Sequence, residues 1–187
     1  MNKTAVEFRR YLVLAVTIVI ALIILLQAPF FTSINNLFLD PLQSEVKARP
    51  EIIIIGIDDK SLQQIGAWPW NRSIFARALN AITPGKPSVV GIDVLFLESR
   101  EGDSEFIDSV KNSSSLVVLG SKLIEDQILK SVYLTQCVAN ARSGFVNFSP
   151  DSDGKIRNSK LWSNVKGQCE LNLSLALVAE YFSLDQN

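Results

Sequence analysis

Ile52 to Arg72 reads IIIIGIDDKSLQQIGAWPWNR. A continuous rather than alternating apolar run predicts a strand over Glu51–Ile57 that is buried on both faces, as in a parallel sheet covered by helices. Asp58 and Asp59 stand where that strand emerges. Either can N-cap a short helix through Gln64, with Gly66 as its stop. Trp68-Pro69-Trp70 then brings two large rings and a rigid residue to the same end. Asn71 is a good N-cap for a helix over Arg72–Ile82, whose Ile74, Phe75, Ala78, Leu79 and Ile82 recur at helical spacing.

Further along the chain, Pro84-Gly85-Lys86-Pro87 ends that helix, and Ser88–Leu97 (SVVGIDVLFL) predicts a second buried strand. Glu105–Val110 offers an amphipathic turn capped by Asp103 or Ser104, and Leu116–Leu119 a third strand. Strand-helix-strand-helix-strand predicts an α/β sheet with right-handed crossovers. Phe145–Phe148, the turn-rich Ser149–Gly154 and Lys155–Trp162 predict a hairpin. Leu171–Phe182 predicts a closing helix. The expected fold is therefore α/β, with a mixed, mainly parallel sheet, flanking helices and one preceding transmembrane helix.

That preceding helix is read from Tyr11–Phe31, YLVLAVTIVIALIILLQAPFF, which carries no charge. About 20 residues at 1.5 Å rise span the hydrocarbon core of a bilayer. A cleaved signal peptide is the alternative, but its apolar region is shorter, about 7–15 residues. The only cleavage candidate, Leu26-Gln27-Ala28, lacks a small first residue and precedes Pro29. Lys3, Arg9 and Arg10 flank the N-terminal side, and Lys47 is the first positive charge beyond, so the N-terminus is expected in the cytoplasm. The organisation follows: a cytoplasmic N-terminus over 1–10, a helix in the lipid bilayer over 11–31, a juxtamembrane connector over 32–49 and an extracytoplasmic domain over 50–187.

Composition narrows the chemistry. The chain has 18 Lys+Arg against 19 Asp+Glu, and no basic stripe suggests nucleic acid. It has no histidine, which excludes His-based acid/base pairs, His-ligated zinc and Ser-His-Asp triads within the chain. There is no G-x-S-x-G elbow, Walker A sequence or G-x-G-x-x-G. No cofactor is implied. Cys137 and Cys169 can form a disulfide in an oxidising compartment or remain two thiols.

Gly56-Ile57-Asp58 and Gly91-Ile92-Asp93 punctuate two strands alike. Parallel neighbours would bring Asp58 and Asp93 together at the carboxyl ends, where open α/β sheets bind ligands. Close carboxylates can hold Mg²⁺ or Ca²⁺, or raise the pKa of one of them. The same aspartates serve equally as helix caps and as ion-pair partners of Arg72. Trp68 and Trp70 are either an aromatic ligand face or a lid over the sheet end. Arg72 is either an ion-pair partner of Asp58 or Asp93, or an anion grip near a helix N-terminus. Asp151-Ser152-Asp153-Gly154 starts like an EF-hand loop, but Lys155 at the fifth position and Trp162 at the twelfth make it a turn.

IDDKSLQQIGAWPWNR, GIDVLF with Asp103 following, and VNFSPDSDGKIRNSKLW resemble, in that order, the second class of CHASE domains, the cyclase- and histidine-kinase-associated extracellular sensory modules of bacteria. The resemblance runs from about Pro50 to about Phe182. It implies an extracytoplasmic sensor at the bacterial inner membrane, signalling as a homodimer to a cytoplasmic cyclase, kinase or diguanylate cyclase output, in cis or in a partner. The positions matching its motifs are Asp58, Ser61, Trp68, Pro69, Trp70, Arg72, Asp93, Asp153, Gly154 and Arg157. Of these, Asp58, Ser61, Trp68, Trp70, Arg72 and Asp93 are the expected sensory or ligand-binding set, for an unidentified small molecule or envelope ligand. Asp153, Gly154 and Arg157 form the expected motif turn. Asn71 departs from the pattern, standing where a second proline is common. No output domain follows before Asn187, so the chain is read as a fragment or as a sensor acting through a partner. Two rivals stand beside this reading: an anchored metal-dependent hydrolase using Asp58, Asp59 and Asp93, and a structural module that binds another envelope protein.

Overall fold

The apolar N-terminal stretch forms one long helix, α1 (Lys3–Leu26), in a computed structural model that describes residues 3–26, 40, 49–125, 127–133, 139–151 and 153–182. Its Glu7–Leu25 section, 19 residues of mean hydropathy 2.3, is long and apolar enough to cross a membrane. The one hydroxyl in its middle is satisfied internally, Thr17 Oγ1 donating to the Val13 carbonyl at 2.9 Å, as a hydrocarbon surrounding would require. Residues 27–31 of the expected span, and the connector except Asp40 and Arg49, lie outside the described residues.

The chain divides into two compact units, one of residues 1–54 and 150–157, the other of 55–149 and 158–187. In the second unit, α2 (Asp59–Ile65), α3 (Arg72–Ile82) and a 3₁₀ turn (Thr83–Gly85) lead into β1 (Val89–Leu95). Then come α4 (Asp103–Lys111), β2 (Leu116–Ile124), β3 (Gln127–Leu129), β4 (Ala141–Phe145), β5 (Trp162–Val165), β6 (Gln168–Leu171) and α5 (Leu173–Tyr181). β1 and β4 flank β2, both parallel to it, and β3 pairs antiparallel with the end of β2. The sheet is therefore mixed and mainly parallel. β5 and β6 form a separate antiparallel hairpin.

α3 buries Phe75, Ala76 and Leu79 against Phe96, Phe106, Val110, Val117, Leu119 and Tyr133. Full burial of one such large apolar side chain is worth about 1.5–3 kcal/mol, so this aromatic layer dominates the core. α5 packs against β1, β2 and β4. Gly144 permits its close approach: a Cβ there would stand 2.5 Å from Leu173 Cα.

Three expectations are corrected. Residues 52–57 form no strand, and Ile52–Ile55 are exposed. The sheet begins instead at Val89, so no strand pairing brings Asp58 beside Asp93. An apolar run sets a preference for strand conformation, whereas its pairing depends on a partner edge that local sequence does not name. The hairpin is also not where the turn signal placed it. Residues 150–157 belong to the first unit, and Ala141–Phe145 pairs in parallel with β2. The observed hairpin turns at Lys166-Gly167, both at positive φ (51° and 84°), the geometry that matches strand twist. Lastly, α4 starts after Gly102 at φ 85°, without a side-chain cap from Asp103 or Ser104.

Candidate functional site: a buried arginine under an aromatic corner

Asp58 opens the site as the N-cap of α2. It accepts the backbone N–H of Ser61 at 2.8 Å and the Ser61 hydroxyl at 2.7 Å. The hydroxyl bond, and then the N–H, hold its carboxyl below its ordinary value. Both residues are thus engaged locally. Gly66 ends α2 at φ 115°, and the chain turns through the cis Trp68–Pro69 peptide. Trp70 turns inward and donates its Nε1–H to the Gly66 carbonyl at 2.7 Å. Trp68 stays 46% exposed. Its ring centroid lies 5.7 Å from that of Trp70 and 6.0 Å from that of Phe75. The two tryptophans therefore divide the work, one as a lid over the core and one presented to solvent.

Asn71 caps α3 by accepting the Ser73 N–H at 2.9 Å. Arg72, the next residue, is only 3% exposed. Its backbone N–H donates to the Glu101 carbonyl at 3.0 Å, and its guanidinium carbon stands 4.6 Å from the Phe96 ring centroid, a cation–π geometry. Arg72 Nε donates to Tyr133 Oη at 3.1 Å. Tyr133 Oη in turn donates to Asp103 Oδ1 at 2.6 Å, and Asp103 Oδ2 accepts the Arg100 N–H at 3.0 Å. Burial first, and then the bond to Asp103, push the Tyr133 phenol up to about 12, with Arg72 acting the other way. The phenol remains a proton-carrying link between cation and carboxylate. Gly102 allows the Glu101–Asp103 turn to close over α3, because a Cβ there would lie 2.3 Å from Asn71 Oδ1.

Arg72 therefore pairs with neither Asp58 nor Asp93. Its carboxylate is Asp103, reached through Tyr133. Asp93 is exposed on β1, and no hydrogen bond or ion pair holds it among the described residues. Of the expected set, the structure joins Asp58 with Ser61, and Trp68 with Trp70. Arg72 lies beneath Trp70 through Phe75 and Phe96, whose ring centroids are 5.2 Å apart. Sequence reasoning missed Tyr133 and Phe96. Their available signal was an aromatic content the core needed, with a phenol able to satisfy a buried donor.

A second cluster lies within the other unit. Arg157 Nε and Nη2 donate to the two Asp40 oxygens at 2.8 and 3.0 Å. Nη1 donates to Asp151 Oδ2 at 2.7 Å, and Nη2 to Asp153 Oδ2 at 2.7 Å. Lys155 Nζ joins Asp40 at 2.6 Å. The Arg157 bond holds Asp153 down to about 2 and Asp40 well below the carboxylate range. Gly154, at φ 80°, makes the turn. The motif residues Asp153, Gly154 and Arg157 thus form a clamp on Asp40 of the connector, and its other members, Asp40, Asp151 and Lys155, were not among the expected site residues.

Among the described residues, no three His, Cys, Asp or Glu side chains gather as a group that could hold a metal ion. Cys169 is exposed on β6; its expected partner Cys137 lies outside the described residues. A family model described as the CHASE2 domain matches residues 16–187. No curated protein and no solved structure matches the chain.

Proposed function

The chain belongs to the CHASE2 family, a family of extracellular sensory domains, and from that premise we propose that it is the extracytoplasmic input of an inner-membrane sensor. The observation that carries this is the family match over nearly the whole chain, joined to an apolar N-terminal helix long enough to anchor it. In this reading α1 lies in the bilayer with the N-terminus cytoplasmic. The signal passes, in a homodimer, to a cyclase, kinase or diguanylate cyclase output in cis or in a partner.

The input is read at the α2–α3 corner. An environmental small molecule or envelope component meets the exposed Trp68, with Asp58 and Ser61 at the edge of the same corner and Asp93 available on β1. Trp68 touches Trp70 and Phe75, and Phe75 touches Phe96, on which Arg72 is stacked. A displaced Trp68 is thereby felt at a buried, hydrogen-bonded network. Such a network has discrete arrangements and resists continuous deformation. A ligand can shift it only through different affinity for two states. The hydrolase rival has no observation in its favour, because Asp58 is engaged by Ser61 and no strand pairing brings Asp93 to it.

The experiment is a fusion of the full chain to a cyclase or kinase output in a bacterial membrane, scanned across envelope conditions and small-molecule pools. An output that responds in the parent and not in Trp68→Ala supports the reading. An output indifferent to every condition, or a response equal in both, sinks it.

A further inference from the structure

The guanidinium of Arg72, a residue only 3% exposed, is just partly used. Nε donates to Tyr133 Oη at 3.1 Å, and the Phe96 ring covers one face. Nη1 and Nη2 have no hydrogen bond and no carboxylate within ion-pair distance among the described residues. Neither nitrogen is sealed in. Ser121 Oγ is the one side-chain polar atom among the described residues that is both fully buried and without a partner. The two Arg72 nitrogens therefore touch solvent through a narrow opening, and an oxygen can reach each of them. A charge-assisted bond made there gains more than one on an exposed arginine, because the surroundings screen it less.

The spare donors have a definite shape. With Nε spent on Tyr133, the end of the fork stays whole, and Nη1 beside Nη2 matches the two oxygens of one carboxylate. The opening lies past the carboxyl end of β1, because Phe96 directly follows its last residue, Leu95. Open α/β sheets bind ligands outside strand ends of this kind. The backbone donors in the first turn of α3 are already taken. Arg72 N–H goes to the Glu101 carbonyl, Ser73 N–H to Asn71 Oδ1 and Ile74 N–H to the Asn71 carbonyl. The grip belongs to the side chain.

Neighbouring charges narrow the anion. Glu98 accepts from Arg100 Nε at 3.0 Å. Its carboxyl is held below its ordinary value by Arg100 first, with Arg72 adding a smaller pull. One carboxylate thus already stands within electrostatic reach of Arg72, and Arg100 retains it. Along the loop after β1, Glu98, Glu101 and Asp103 outnumber Arg72 and Arg100. That balance repels a dianion such as phosphate more than a monoanion.

We propose that Arg72 Nη1 and Nη2 hold the carboxylate of a small organic monoanion, with Glu98 competing for Arg72 and Arg100 holding Glu98 away. The proposal rests on the sensory reading above and gives its ligand a chemical class.

The full chain, in nanodiscs of uncharged phosphatidylcholine, is titrated with benzoate, acetate and inorganic phosphate against chloride at constant ionic strength. The thermal unfolding midpoint is followed. Benzoate and acetate should raise it saturably, and phosphate should not. Arg72→Lys keeps the charge and loses the fork, and should weaken carboxylate binding about tenfold or more. Glu98→Gln should tighten it about threefold, and Arg100→Gln, which frees Glu98, should weaken it by a similar factor. If Arg72→Lys fails to fold, these opposed shifts at two exposed positions carry the test. No saturable rise in the parent, an equal rise in Arg72→Lys, affinities unchanged in both Glu98→Gln and Arg100→Gln, or phosphate held as tightly as carboxylate overturns the proposal. Applying the same anions to the output fusion separates the two readings. Carboxylate binding without an output response keeps the site and removes its sensory use. An output that answers other conditions while no carboxylate binds removes the site and leaves the sensor.

Discussion

Arg72 carries a full charge into an aromatic layer with no carboxylate in ion-pair contact among the described residues, and three things make that tolerable. The Phe96 ring faces the guanidinium, the Tyr133 phenol accepts from Nε, and Asp103 balances the charge one hydrogen bond away. Removing the phenol oxygen strands a buried donor and breaks the link to Asp103. Tyr133→Phe should therefore lower stability by about 1–3 kcal/mol, read as a fall in the thermal unfolding midpoint. Its raised pKa adds a pH signature. The fold favours the protonated phenol, so this contribution is present below the ordinary value of 10.0 and is lost as pH rises through about 12. Alkaline absorbance titration should show a late tyrosine component that Tyr133→Phe removes. The sequence exposed Arg72 as a charge beside an aromatic pair. It could not expose a partner 61 residues away, because nothing in local spacing encodes a contact made by tertiary packing. Asp58 was legible for the opposite reason: its cap is closed with a residue three positions on.

Elements whose information is local were read well. α2 stops at Gly66 and α3 follows its N-cap Asn71, both as expected; α5 forms within the expected closing stretch, although its cap, Asn172, which accepts the Leu175 N–H at 2.7 Å, was not anticipated. Elements defined by a distant partner were not. The isoleucine run has strand composition but no strand in this chain, and the Pro150–Arg157 turn closes on Asp40 rather than folding into a hairpin. That clamp predicts a pH profile. Asp153 has its pKa lowered from 3.8 to about 2, and Asp40 is lowered as well. Their contribution is thus present above the ordinary carboxylate value and lost as pH falls toward 2. Limited proteolysis of the connector should be flat from neutral pH down to about 5 and should rise below about 4. Arg157→Gln should give high cleavage at neutral pH and little further change on acidification. The contact between α5 and the sheet gives a second test at this scale. A Cβ on Gly144 meets Leu173 backbone, with Leu173 N at 2.8 Å, whereas one on Gly91 meets only the end of the Leu177 side chain. Gly144→Ala should cost about 1–3 kcal/mol in urea unfolding, and Gly91→Ala less, because a leucine rotamer can yield where helix backbone cannot.

At the scale of the whole molecule, the features read correctly from sequence were those that need no pairing information. An uncharged run longer than a signal sequence predicted an N-terminal helix, and α1 is that helix. Alternating strand and helix signals predicted a parallel-rich sheet, and β1, β2 and β4 form one. The division into two units was not legible, because residues 150–157 join the N-terminal unit across more than a hundred positions through Arg157 and Asp40. Orientation is the remaining whole-molecule property, and the charges around α1 make it testable. Lys3, Arg9 and Arg10 precede the uncharged run that starts at Tyr11, and positive flanks are retained on the cytoplasmic side. The domain bearing Cys169 is then expected to face away from the cytoplasm. Cys169 is exposed at the hairpin, so it serves as the reporter. A membrane-impermeant maleimide should label it in intact spheroplasts. If Cys169 is bonded to Cys137, labelling requires prior reduction, and Cys137→Ser restores labelling without reductant. Labelling that appears only after lysis, in the Cys137→Ser variant as well as the parent, would reverse the orientation. Reversing Arg9 and Arg10 to glutamate while adding lysines after residue 31 should move Cys169 to the protected side in a fraction of molecules, since orientation follows the balance of basic residues across the span rather than net charge.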